Sequence, residues 1–352
     1  MTEPLLIPES CFVVKADYWS EPGPEVISAI KNHIRAGLPP HEWPGHTHTR
    51  PPRGATVVYL AEFDVPAPPG VEEVAPCPVC STYFPKYKRD GKIAWFPDEG
   101  VIRLIGPDCF SKLNARGHGI ALRELRQRQK RERDIIYLQS NMPLLDVLEA
   151  RADDMVRIAG AVDTFLRNLH IGLGMMRLPL WNACREGQLY RIEVVPHQVE
   201  DENGKTFVRE THTPVLHATV KGTGAINPSA RPLFPAAKRA IEDLKRARSG
   251  MIRRTDIAEW TDETRRQVLL ALNRAVRSLS DLTSEVREVQ AFLHPATIAT
   301  LRGWGGHEKT AYRFYIRREG PDLLVGRSEA ETRRVPIPAG TEDRPQDVPR
   351  LA

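Results

Sequence analysis

The 352-residue sequence predicts an α+β fold: a small cysteine-bearing module, then a long antiparallel pair of helices carrying an inserted β-hairpin. Three observations predict it. Cys77 and Cys80 stand in a CPVC pair, and Cys109 follows after a stretch with the pattern of a tight hairpin. Two segments hold eight successive core positions each at alternating steps of four and three, the spacing of helices that pack on partners. Between them, residues 188–220 alternate as two strands around the turn EDENGK.

Taken in order, residues 1–75 read as a small α/β segment: a strand-like SCFVVKADYW, a helix PEVISAIKNHIRAG opened by Pro24 and closed by Gly37, and a strand ATVVYLAEFDV. The loop between that helix and strand holds His41, His46 and His48 among prolines and reads as solvated. After the PAPPG break comes the cysteine module, residues 76–119. Residues 120–187 hold a charged helix, ALRELRQRQKRERDIIYL, and the first heptad helix, with Leu144, Leu148, Arg151, Met155, Ile158, Val162, Phe165 and Leu169 on its core side. Residues 188–257 hold the hairpin and a basic helix, AAKRAIEDLKRARSG, with Gly250 at its end. Residues 258–300 hold the second heptad helix, with Val268, Leu272, Ala275, Leu279, Leu282, Val286, Val289 and Leu293. Residues 301–337 read as the strands TAYRFYIRREG and DLLVGRSE, and 338–352 as a polar, proline-rich tail that stays disordered. Laid antiparallel, Leu144 faces Leu293 and Leu169 faces Val268, which makes an arm with the hairpin and basic helix at one end; the alternatives are that the two helices form the core of a globular helical domain, or that either one pairs in parallel with a second copy.

In the module, CPVC is followed by KIAWF, the turn PDEG, VIRLIG, and then GPDCFSKLNARGHG, which sets Cys109 at the start of a short helix. This order resembles treble-clef zinc modules, and IGPDC resembles the GIGPxC string of small bacterial and phage zinc modules; the likeness covers residues 76–119 alone. Two thiolates two residues apart can grip one tetrahedral ion, and a helix N-terminus stabilises a third. The position three residues past Cys109, which many treble clefs use for a fourth ligand, is Lys112, so His118 becomes the candidate, provided Gly117 ends the helix and lets the chain fold back. A four-ligand Zn2+ site is structural and has no open position for chemistry. A redox pair is the poorer reading of CPVC, because STYFPKY after it carries no helix signal.

The charge balance, 50 basic against 45 acidic residues, leaves a net +5, too little to imply nucleic acid by itself. Residues 231–254 nevertheless hold eight basic residues against two acidic ones, and Lys238, Arg239, Lys245, Arg246 and Arg248 are the candidate phosphate contacts. YRFYIRR interleaves aromatic and basic side chains. The expectation is a non-enzymatic, cytoplasmic protein with structural zinc that binds DNA or RNA weakly. The alternative is an assembly scaffold whose helical arm docks another protein. The start of the sequence has no basic n-region of a secretory signal, no apolar run reaches membrane-spanning length, and five scattered cysteines do not suggest a disulfide framework. Neither a GxSxG elbow, an HExxH helix nor a phosphate-binding glycine loop is present, so no reaction is indicated.

Overall fold

The computed structural model describes residues 5–66, 74–87, 89–200, 205–252, 257–310 and 312–352, in two compact units, Met1–Arg133 and Asp134–Ala352. It is α+β, as the patterning predicts.

The amino-terminal unit is built on an antiparallel sheet of β1 (Val58–Asp64), β4 (Asp90–Phe96) and β5 (Val101–Ile105), in the order β1-β4-β5. The hairpin predicted from KIAWF and VIRLIG is present, with Phe96 opposite Val101 and Lys92 opposite Ile105. Helix α1 (Pro24–Arg35) opens with proline at its first position and ends before Gly37, whose φ of 82° suits a residue without Cβ. A second hairpin, β2 (Ala75–Cys77) with β3 (Ser81–Tyr87), carries the CPVC turn. SCFVVKADYW forms no strand: Glu9–Phe12 is a short 3-10 turn, and extended chain follows.

Every residue of β5 is buried, so both faces of this sheet are covered. One cover is the proline loop. Thr47 donates its N–H to Ile102 O at 3.0 Å, His46 bridges to Ile102, and His41, His46 and His48 are buried. The expectation of a solvated loop is therefore corrected: the loop is proline-rich because it packs as an irregular layer that makes few backbone ladder bonds.

The division between the units falls within α2 (Ala115–Asn141). In the carboxy-terminal unit, α3 (Leu145–Leu173), α5 (Phe234–Ile252) and α6 (Asp262–Leu293) share one core. All the aliphatic and aromatic heptad positions from Leu148 to Leu169 and from Val268 to Leu293 are buried. The pairing differs from the predicted arm. Arg248, late in α5, meets Asp146 and Glu149 at the start of α3, while Leu233 and Phe234, where α5 begins, donate to Asp163 further along α3. Arg274 of α6 reaches Asp243 of α5, and a Cβ on Gly250 would touch Val268. Thus α5 is antiparallel to both long helices, and α3 and α6 run parallel to each other. The matched lengths of the two heptad segments are real; the antiparallel register built on them is not. The basic helix forms a third member of the bundle, with Ala237, Ala240, Leu244 and Ala247 buried.

Short helix α4 (Arg177–Cys184) leads into the predicted hairpin, β6 (Gln188–Glu200) paired with β7 (Thr206–Thr219) from Gln188–Thr219 to Glu200–Thr206; its turn, residues 201–204, lies outside the described residues. Helix α7 (Pro295–Gly306) follows α6. The predicted pair β8 (Tyr315–Glu319) and β9 (Asp322–Gly326) gains a third strand, β10 (Thr332–Pro336). The last stretch has neither helix nor strand, yet it packs, against expectation. Thr341 is buried, Gln290 donates to the carbonyls of Thr341 and Asp343, Asp347 pairs with Arg287 at 2.6 Å, and Val348 and Leu351 lie against the core. Its prolines exclude regular structure without excluding burial.

Candidate metal centre

The two hairpins of the amino-terminal unit bring three thiols together. Cys77 ends β2, Cys80 precedes β3, and Cys109 opens a 3-10 turn, Cys109–Lys112, a few residues after β5. Their sulfurs lie within 4.8 Å of one another, with Cys80 and Cys109 Sγ 3.2 Å apart. Tetrahedral zinc at about 2.3 Å from each sulfur would set them about 3.8 Å apart, so the trio is compatible with an ion once the Cys80–Cys109 edge opens slightly. Cys77 is fully buried, and the other two are half-buried.

The surroundings hold these positions. Lys92, buried in β4, donates to Pro107 O at 2.6 Å and pins the turn before Cys109. Phe110 is buried in the sheet's core, stacked edge-on to Phe96. Without a cation the thiols oppose one another's ionisation: the hydrogen bond with Cys109 pushes Cys77 up to about 11, and that with Cys77 raises Cys80 further. The Gly106 N–H at Cys77 and the Lys112 charge near Cys80 act in the other direction. A divalent cation among them reverses the balance by pairing directly with the thiolates.

His118 is not part of this group. Asn114 caps α2, accepting the Gly117 N–H on its side chain at 2.8 Å, so Gly117 and His118 sit in the helix's first turn and no helix ends at Gly117. The imidazole Nδ1 lies 2.7 Å from the Tyr59 hydroxyl and Nε2 is 3.7 Å from Asp108. The expectation failed because Gly117 reads equally as a stop signal, and the capping asparagine three residues before it decides otherwise.

A second cluster in this unit went unrecognised in the sequence. Leu104 donates its N–H to His46 Nδ1 at 3.1 Å, which leaves the His46 proton on Nε2, facing His48 Nδ1 at 2.9 Å; His48 Nε2 then faces Thr82 O at 2.9 Å. Each ring in this chain is neutral with its tautomer set by its neighbours. Burial holds His46 well below the usual histidine range and His48 below it, and draws His41 down to about 4. The signal for it was VIRLI, which carries apolar residues at both alternating sets of positions, interrupted only by Arg103, and so demands cover on both faces.

The basic helix places Lys238, Arg239 and Lys245 on its exposed face, with Lys238 Nζ over the Phe234 ring at 4.6 Å and Arg239 Nε donating to Pro235 O. Arg246 and Arg248 are committed elsewhere, Arg246 to Asp243 at 2.9 Å and Arg248 to Asp146 and to Glu149 at 2.6 Å. Arg253 and Arg254 lie outside the described residues. In YRFYIRR, Phe314 and Ile316 are core residues, and Arg317 and Arg318 pair with Glu329 and Glu342.

No family model, no curated protein and no solved structure matches this chain. Among the described residues, no helix is long and apolar enough to cross a membrane.

Proposed function

We propose that this chain is a non-enzymatic, zinc-stabilised assembly protein: Zn2+ on Cys77, Cys80 and Cys109 locks a treble-clef-like amino-terminal unit, and the carboxy-terminal unit presents a ribbon to a protein partner. The observation that carries this reading is the β6–β7 ribbon. Its base is held, with Leu189 buried, Trp304 donating to Tyr190 O at 2.8 Å and Ile192 donating to Lys309 O at 2.8 Å. Beyond that the strands pair only with each other among the described residues, and Val194, Val195, Phe207 and Val208 stand 40–62% exposed. An isolated two-stranded ribbon is marginal in water, so apolar residues on both of its faces favour a covered state. Pro196 and Pro214 remove backbone donors from its outer edges, which favours contact through the faces over added strands.

Zinc content should be about one per chain, and Cys109→Ser should lose the metal and increase hydrogen exchange through residues 75–112. The variant Val194→Lys, Phe207→Lys should keep its zinc and thermal midpoint while losing the proteins that wild type captures from its native cell. Metal-free protein, or identical capture by both forms, would refute the reading.

Weak nucleic-acid binding is the second reading, favoured by the open face of Lys238, Arg239 and Lys245. The acids of α3 beside α5 count against it. It requires binding to DNA or RNA that falls steeply with salt and that Lys238→Gln, Lys245→Gln weakens.

A further inference from the structure

We propose that a cleft between α3, the start of α4 and the loop before α5 is a binding site for a phosphorylated small molecule. The cleft measures about 490 Å³ and is lined by Asp163, Leu166, Arg167, His170, Arg177 and Arg231, among others. Its construction follows from the helix period. Asp163, Leu166, Arg167 and His170 recur at steps of three and four, so one stripe of α3 forms the floor. Gly174, at φ 51°, lets the chain turn sharply after α3 and returns Arg177 beside that stripe. The third guanidinium, Arg231, comes from the far side, and its loop is fixed because the Asp163 carboxylate takes the N–H groups of Leu233 and Phe234 at 2.8 and 2.9 Å.

The charges are what select the ligand. Among the described residues no hydrogen bond or ion pair engages Arg167, Arg177 or Arg231; Glu285 feels Arg231 only at longer range. Three guanidinium groups against the one carboxylate of Asp163 leave two positive charges on the cleft, the complement of a phosphate monoester dianion, and planar guanidinium matches phosphate oxygens in pairs. A single carboxylate would leave the excess unmatched. His170 adds a neutral contact: its Nε2 faces Ala225 O at 3.0 Å, which places the proton there and leaves Nδ1 to accept from a ligand hydroxyl. The cleft is within the size range of small-molecule pockets and much larger than a phosphate group, with Leu166 and Pro232 as apolar wall, so the phosphate anchors an organic body.

Pyrophosphate is the probe, titrated calorimetrically into the full chain at fixed ionic strength, with citrate and sulfate as parallel titrants. Saturable binding of pyrophosphate that citrate and sulfate do not reproduce is expected. The variant Arg177→Gln, Arg231→Gln should bind about a hundredfold more weakly, about tenfold per guanidinium lost, whereas Lys130→Gln, exposed on α2 outside the cleft, should bind as wild type. Pyrophosphate should also protect Arg177 and Arg231 of wild type from phenylglyoxal, a readout that does not depend on the variant's folding. Absence of pyrophosphate binding, equal binding of citrate or sulfate, or unprotected arginines would overturn the proposal. None of these outcomes bears on the zinc or the ribbon.

Discussion

His41→Leu tests whether the buried histidine loop makes the amino-terminal unit acid-labile. The His41 side chain is buried, its Nδ1 has no hydrogen-bond partner among the described residues, and burial brings its pKa down to about 4, helped by the nearby His48 and His33. Above pH 6.5 the ring is neutral in both folded and unfolded chains and adds no pH dependence. As the pH falls from 6.5 toward 4, the unfolded chain binds a proton that the folded chain refuses, so stability is lost across that window and levels off below it. At pH 5.5 the loss from His41 is about 1.4 kcal/mol, and His46 and His48, shifted in the same direction, add to it. Lys15 and Arg103, the cations facing His46, add to the effect. His41→Leu should therefore remove about 1.4 kcal/mol of the acid loss at pH 5.5, and at pH 7.5 it should be neutral or stabilising by about 1 kcal/mol, since an unpaired buried nitrogen goes with it. Urea titrations at pH 7.5, 6.5 and 5.5, followed by hydrogen exchange of peptides spanning residues 39–52, give the comparison. Acid would also release a metal held by the cysteines, but equally in both proteins, so the difference between them isolates the histidine. Parallel stability–pH curves for wild type and variant would refute the reasoning.

Gly222→Ala should lower the calorimetric midpoint of the carboxy-terminal unit by roughly 6–12 °C, the equivalent of about 3 kcal/mol, because φ is 76° and a Cβ would lie 2.1 Å from Phe292 N. Asp163→Ala should cost about 1–2 kcal/mol in urea denaturation by leaving the first N–H groups of α5 without their acceptor; an unchanged midpoint would show that water replaces it.

What the sequence disclosed followed short-range rules. The CPVC turn, the β4–β5 and β6–β7 hairpins and the two heptad stripes each depend on residues close in the chain, and each is present. What it hid depended on choices between distant partners. Equal heptad lengths say that α3 and α6 each need cover, but not in which direction, and a connection of some ninety residues between them permits either. The alanines of α5, Ala237, Ala240 and Ala247, were the overlooked sign: small residues on one face allow close approach to two neighbours, while the lysines and arginines drew attention to the other face. His118 was misassigned for a local reason, the double meaning of Gly117, and the histidine loop because prolines were taken as a mark of exposure.

The parallel course of α3 and α6 has a consequence for how the chain emerges during synthesis. Helix α3 is complete at Leu173, and α5 can fold back on it once residue 252 has appeared, but the third wall of that core is not finished until Leu293. At roughly 10 residues per second, about twelve seconds pass between the end of α3 and the end of α6. Through that interval Phe165, Val162 and their neighbours form an apolar stripe with an incomplete shelter. The charged side chains of α3 on its other face, and the early docking of α5, are then what keep a nascent chain in solution.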